Sequence, residues 1–425
     1  MKVLLKQASI VSSSSPFNGL LKDILIDNGL IVSIKDSITD TADTIVDIPG
    51  LHISIGWMDV FAHFCDPGLE HRETIASGAA AAGAGGFTDV LVIPNTQPVI
   101  HNKSQVEYIV NKSTALPINI HPIGAVTRDA EGKELAEMYD MRQAGAIAFS
   151  DGIHTIQNSG LLVKALQYIK AFDGILIQIP DDKSIGSSGL INEGIISTQL
   201  GLPGKPAMAE ELIIARDIKL ARYANSRLHF TGISSAKSVE YIQRAKQSGI
   251  SITCSVTPYH LTFCDEDLQQ YDTNLKVNPP VRTAKDRAAL IAALVNGTID
   301  CIASHHIPHH IDNKECEFEY AKNGMIGLES LFGAVGSMVN GQLSIEQLID
   351  TLSIAPREIF GLPIPEIKEG AVASLTLFNP LEDYIFERSM IQSKSTNAAF
   401  IGKKMYVKMA IKKATITKVL KPAEK

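Results

Sequence analysis

Short runs of apolar, largely β-branched residues recur along the middle of the chain at 55–63, 87–94, 118–124, 146–150, 174–179, 227–233, 251–257 and 299–304. Continuous apolar runs mark strands buried on both faces, as in a parallel sheet. Between most of them lie stretches with helical periodicity: Glu73 to Ala84, Glu134 to Gln143, Ala207 to Tyr223, Ala236 to Gln247 and Ala284 to Val295. Eight such strands alternating with helices predict an α/β protein whose centre is a (β/α)8 TIM barrel over 54–367. An open doubly wound sheet shares this alternation and is the competing arrangement.

The two ends have a different texture. Lys22-Asp-Ile-Leu-Ile-Asp-Asn-Gly-Leu-Ile-Val places two apolar runs around Asn28-Gly29, a hairpin signal. Ala373-Ser-Leu-Thr-Leu-Phe and Ala398-Ala-Phe-Ile-Gly-Lys-Lys-Met-Tyr-Val repeat that strand-like pattern near the carboxyl end. Residues 1–53 and 368–425 together are expected to form one small β domain of the sandwich type.

Composition narrows the function. The chain is 425 residues, 45% hydrophobic and 20% charged, which is ordinary for a soluble globular protein. A net charge of -7 with no Lys/Arg-rich block argues against nucleic acid as a partner. The five cysteines, Cys65, Cys254, Cys264, Cys301 and Cys316, form no C-x-x-C pair and fit a reducing compartment. No apolar run reaches the length of a membrane span or a signal peptide, so the expected location is the cytoplasm.

In a barrel of this kind the chemistry sits where strands end at the carboxyl face. Polar groups gather at those ends: His63, Cys65 and Asp66 after the first, Asn95 after the second, Asp151 after the fourth. Gln178 and Asp181 follow the fifth, Gly232 and Ser234 the sixth, His260 and Asn278 the seventh, and His305, His306 and His309 the eighth. Cys65 is either a nucleophile or a buried inert thiol. Asn95 and Asn278 either touch a ligand or shape the rim, and the polar segment 310–323 is either a lid or a long loop. His305-His306-x-x-His309-His310 is either a metal tract or a structural loop.

Several stretches carry a resemblance over nearly the whole length: Asp66-Pro-Gly-Leu-Glu-His-Arg-Glu-Thr-Ile, Pro94-Asn-Thr-Gln-Pro-Val, Val256-Thr-Pro-Tyr-His-Leu and Leu275-Lys-Val-Asn-Pro-Pro-Val-Arg. The chain resembles the dihydroorotases, cyclic amidohydrolases of the type fused or associated with aspartate carbamoyltransferase. The resemblance implies an amidohydrolase-type barrel and a homodimer. It also implies zinc-assisted hydrolysis of dihydroorotate to carbamoyl aspartate, in pyrimidine biosynthesis. Zinc suits such a reaction because it lowers the pKa of bound water to about 7 and polarises a poorly electrophilic amide.

The chain departs from the family's pattern where that chemistry resides. The first strand's His-x-His-x-Arg is replaced by Phe61, His63 and Cys65. The bridging acid matches Asp151, but the histidines of the fifth and sixth strands are replaced by Gln178 and Gly232. The aspartate of the eighth strand, ligand and general base in the family, is His305. Two readings stay open. One is a residual metal site of His63 and Asp151 with His305 as third ligand and catalytic base, holding a single zinc ion and supporting an active cyclic-amide hydrolase. The other is a metal-free, catalytically deficient homologue that serves as a partner of aspartate carbamoyltransferase. On either reading Asn95, Asn278 and His309 match residues that hold dihydroorotate, so a pocket for a small anionic cyclic amide is expected.

Overall fold

The computed structural model describes residues 2–336 and 342–406, and the backbone of the short strands Lys408–Met409 and Thr415–Ile416. The chain opens with β1 (Lys2–Ile10), β2 (Leu21–Asp27), β3 (Leu30–Lys35), β4 (Thr44–Val46) and β5 (His52–Ile55). At the β2–β3 hairpin Asp27 faces Leu30, with Asn28 and Gly29 both at positive φ (48° and 79°). That is the turn geometry for which Asn-Gly is favoured.

The barrel strands begin with β6 (Trp57–Ala62), β7 (Phe87–Val92), β8 (Asn119–Gly124), β9 (Ala148–Phe149) and β10 (Ile175–Gln178). After an excursion carrying β11 (Ile191–Asn192) and β12 (Gly204–Lys205), the barrel resumes with β13 (Arg227–Thr231), β14 (Ile252–Val256) and β15 (Cys301–Ile302). The eight barrel strands pair in parallel in the order β15-β14-β13-β10-β9-β8-β7-β6. A parallel bridge between Ala62 and His306 closes the circle. Asp59 reinforces this seam by accepting bonds from the Ser304 backbone N–H (2.6 Å) and hydroxyl (2.8 Å). The closed barrel excludes the open doubly wound sheet.

Every residue of β6, β7 and β10 is buried, as their continuous apolar sequences require. Met58, Val60, Phe61, Leu91, Ile123, Ile177 and Ala303 fill the barrel interior. A larger cluster, including Val106, Leu166, Ile214, Ile242 and Leu294, joins the outer face of the strands to the helices. The periodic stretches are helical at Ile75–Ala84, Met138–Gln143, Met208–Ala224, Ala236–Gln247 and Ala284–Val295. Lys103–Ser113 and Ser159–Lys170 are two further helices.

β16 (Leu375–Asn379) returns to the amino-terminal strands and pairs antiparallel with β5, completing an eight-stranded sheet with its own core around Leu5, Ile24, Ile53 and Leu377. The stretch 398–406 behaves differently from its strand-like pattern. Ala398, Ala399 and Phe400 are buried in a cluster with Phe263 and Phe386. Only Lys404–Met405 is a strand, and it pairs with Tyr384–Ile385 outside the terminal sheet. Val407 lies outside the described residues. No described helix is long and apolar enough to cross a membrane.

Candidate functional site

At the carboxyl end of the barrel, the side chains at the replaced positions interlock. His305 stacks on Phe61 with ring centroids 4.5 Å apart and planes inclined by 29°. Its Nε2 meets the Thr231 hydroxyl at 2.7 Å. The ring can sit there because its neighbour has no side chain: a Cβ on Gly232, where φ is +74°, would meet His305 Cε1 at 2.8 Å. From Thr231 a buried polar ladder descends into the barrel. Ser255 Oγ donates to Thr231 Oγ1 (2.8 Å), and His229 Nε2 lies 3.1 Å from Ser255 Oγ. Burial, and then the neighbouring His260 and His229, push the His305 pKa down to about 3, so the ring is neutral.

The remaining donors are turned to internal partners. Gln178 Nε2 donates to Asp217 (3.0 Å), and its carbonyl accepts from the Ile156 backbone (3.3 Å). Asp151 Oδ1 accepts from the Val126 and Thr127 backbone N–H groups (3.0 and 2.9 Å), and Oδ2 from the Thr127 hydroxyl (2.6 Å). Burial raises the Asp151 pKa to about 6 despite these bonds. Two imidazole nitrogens are left over, His305 Nδ1 and one on His63. Burial, then the neighbouring Arg72 and His309, lower the His63 pKa to about 3, and its Nε2 is buried without a partner.

Above this layer opens a cavity of about 510 Å³, lined by His63, Asn95, Asn278 and His309 among others. Four residues named from sequence therefore meet at one cavity. Asp151 and His305 do not line it. Most of the polar atoms of the amide pair are already engaged. Asn95 Nδ2 donates to the Asp151 carbonyl (3.0 Å) and its Oδ1 accepts from the Ile153 N–H (3.0 Å). Asn278 Nδ2 donates to Asp181 (3.1 Å), and its Oδ1 accepts from Lys205 (2.8 Å). His309 Nε2 lies 2.9 Å from the Asn323 carbonyl.

The cavity's lining also includes two cations not named as site residues from sequence, Arg72 in the Asp66–Ile75 motif and Lys322 in the segment 310–323. Arg72 Nε donates to the Pro308 carbonyl (2.8 Å), and neither residue forms an ion pair among the described residues. The segment 310–323 that carries Lys322 is a pinned loop. Buried Lys314 donates to the Thr273 and Lys322 carbonyls (2.9 and 2.7 Å), and Lys276 to those of Phe318 and Glu319 (2.7 and 2.9 Å).

A family model described as Dihydro-orotase-like matches residues 51–238. A protein named dihydroorotase from Citrifermentans bemidjiense is 39% identical over 409 residues, covering 95% of this chain and 96% of that one. One of the same name from Ruminiclostridium cellulolyticum is also 39% identical over 409 residues, covering 96% and 95%. This chain belongs to the dihydroorotase family. Among solved structures, L-hydantoinase (dihydropyrimidinase) from Arthrobacter aurescens matches with a TM-score of 0.84 at 22% identity, covering 98% of this chain and 95% of that one. Dihydropyrimidinase from Brevibacillus agri matches at 0.80 and 19%, covering 98% and 95%. At those identities the likeness establishes the shared barrel-and-sheet fold.

The metal positions of this dihydroorotase-family chain do not fit a zinc ion. Phe61 and Gly232 offer no donor atom, Gln178 and Asp151 direct theirs inward, and His305 Nε2 is taken by Thr231, which leaves His305 Nδ1 and His63 Nε2 as the only unpartnered buried side-chain nitrogens among the described residues. Among the described residues no three His, Cys, Asp or Glu side chains come together as a metal-binding group. The set His63, Asp151 and His305 is thus not gathered as ligands, because each has been drawn into a separate environment. The histidine run divides likewise: His306 is buried against Glu73, while His310 is exposed on the loop. Cys65 does not line the cavity, and burial pushes its thiol up to about 12, which suits the inert reading.

Proposed function

We propose that this dihydroorotase-family protein is catalytically deficient and serves pyrimidine synthesis as a non-catalytic partner of aspartate carbamoyltransferase, as a homodimer in the cytoplasm. The observation that carries this reading is the interlock of Phe61, His305 and Gly232, which packs three of the replaced ligand positions against one another. Without a metal, neither the attacking water nor the amide is activated. His305, whose lowered pKa of about 3 makes it a weak base and which lies outside the cavity lining, does not substitute as a general base.

The rest of the scaffold supports binding. A cavity of about 510 Å³ is of the size that takes small ligands, and His63, Asn95, Asn278 and His309 border it. Its ligand is a small anion of the dihydroorotate and carbamoyl aspartate class. Co-expression with aspartate carbamoyltransferase from the same source, followed by size-exclusion chromatography, tests the partner role. Co-elution, with transcarbamoylase activity that depends on this chain, is the expected result. A transcarbamoylase that elutes separately and is fully active alone refutes it.

A further inference from the structure

The segment 392–397 is a strap across three of the loops that line the cavity. Ser393, Ser395 and Asn397 are buried, while Gln392 and Lys394 are exposed. Ser395 Oγ donates to the Arg72 carbonyl (2.7 Å) and Lys394 Nζ to that of Glu70 (2.7 Å). Asn397 Oδ1 accepts from the His309 N–H (3.0 Å), and its Nδ2 donates to the Ile307 and Gly324 carbonyls (3.1 and 3.2 Å). Arg72, Ile307, His309 and Gly324 all line the cavity, so the strap holds its wall.

Two buried glutamates grip the leading end of the strap, and they are not equivalent. Glu73 is fully buried with both oxygens satisfied. Its Oε1 accepts from the Lys394 N–H (3.1 Å) and the Ser77 hydroxyl, and its Oε2 from the Ser393 hydroxyl, with His306 Nε2 3.4 Å away. Glu329 is 8% exposed and accepts the Gln392 and Ser393 N–H groups, the latter at 3.2 Å, on Oε1 alone. Its Oε2 is buried with no partner among the described residues. A carboxylate shares its charge between both oxygens, whereas an acid carries a proton on one of them. An unpaired buried hydroxyl costs far less than an unpaired buried charge, so this asymmetry fits the acid.

Nothing nearby offsets a second negative charge. Among the described residues neither glutamate has a Lys or Arg partner. His306 Nδ1 accepts from the Gly327 N–H (3.3 Å), which leaves the ring's proton on Nε2, facing Glu73. The Lys394 ammonium lies on the outer side, at the Glu70 carbonyl. Burial raises the Glu329 carboxyl above its usual range against its two amide bonds and His306, and the Glu73 charge adds to the rise. Burial acts the same way on Glu73, but the bonds from His306, Ser393 and Ser77 outweigh it and hold that carboxyl low.

We propose that Glu329 and Glu73 form a one-proton latch on the strap, Glu329 as a neutral acid beside an ionised Glu73, and that loss of the Glu329 proton at alkaline pH releases 392–397 and loosens the cavity wall. On opening, the Glu329 carboxyl reaches water, where its ordinary pKa is 4.5, and gives its proton to solvent. The latch is complete below that pH and is lost as pH rises through the closed-state value. It holds whether or not a ligand in the cavity is turned over.

The test is hydrogen exchange of the full chain between pH 6 and 9, corrected for the intrinsic pH dependence of exchange and read by mass spectrometry on peptides covering 388–397. Wild-type protection of the strap is expected to fall with rising pH, toward tenfold per unit, the limit for one proton released on opening. Peptides from β1 to β3 are the reference and should not follow it. Glu329→Gln keeps the size of the side chain but has no proton to lose, so its strap protection should be flat. The infrared difference between wild type and Glu329→Gln at pH 7 should show the C=O band of a protonated carboxyl. A flat wild-type profile, an equal fall in the reference peptides, an equal fall in Glu329→Gln, or a carboxylate band in place of the acid overturns the proposal. The wild-type comparison of strap and reference peptides decides by itself where Glu329→Gln does not fold.

Discussion

A Cβ placed on Gly232 would lie 2.8 Å from His305 Cε1, so the imidazole occupies the space that a side chain at 232 would need. The two positions are energetically one site. Gly232→Ala combines that clash with a left-handed φ of +74°, and should destabilise the protein by about 2–4 kcal/mol. In a His305→Ala background the clash is gone and only the backbone strain remains. A double-mutant cycle by urea denaturation should show a coupling of about 1–2 kcal/mol, and additive costs would contradict the interlock.

His305 also predicts a pH dependence. Its pKa is lowered from 6.5 to about 3 by burial, so between those values the unfolded chain binds a proton that the native state refuses. Stability from this residue is therefore complete above pH 6.5 and is lost as pH falls. In His305→Gln that proton uptake is absent. The variant should gain on the wild type by about 1.4 kcal/mol per pH unit between pH 6 and 4, in paired denaturation curves. Parallel curves would mean that the ring is not held neutral.

Much of the architecture was legible because period and burial dictate it. The eight continuous apolar runs became the eight barrel strands, and the Asn28-Gly29 turn closed its hairpin. The stretch 398–406 was misleading, since buried Ala398, Ala399 and Phe400 give the same apolar pattern when they pack as a turn. At the site, the sequence exposed which ligand positions had changed, but not that Phe61, His305 and Gly232 fit one another. That fit joins positions from three strands that are far apart in sequence. Arg72 and Lys322 were not read as site residues for another reason: loop cations are common, and only the fold brings these two to one cavity.

The amino-terminal end of the barrel serves stability. Arg357 is buried and pairs with Asp89 at 2.6 Å, while donating to the Gly56 and Ser353 carbonyls (2.7 and 2.8 Å). Burial alone would raise the Asp89 pKa, but His121 and Arg357 outweigh it and hold the carboxyl well below its usual range. Arg357→Met strands that charge and should cost about 3–5 kcal/mol by chemical denaturation. Affinity at the distant cavity should not change.

Thiol accessibility gives a further check. Cys65, Cys254, Cys264 and Cys301 are buried, and Cys316 is partly exposed. Burial drives the Cys65 thiol up to about 12. With an alkylating reagent at pH 8, peptide mapping of the native protein should find Cys316 modified first and Cys65 protected. Early labelling of Cys65 would restore it as a candidate nucleophile.

The most direct test of the dismantled metal centre is dihydroorotate hydrolysis and its reverse, followed by absorbance. The folded full-length protein, purified without chelator, is assayed with added zinc and again after chelation. Turnover indistinguishable from the buffer blank under both conditions is the predicted result. Turnover that appears with zinc and disappears on chelation would show that His63 and its neighbours still assemble a working metal site, and would contradict the account.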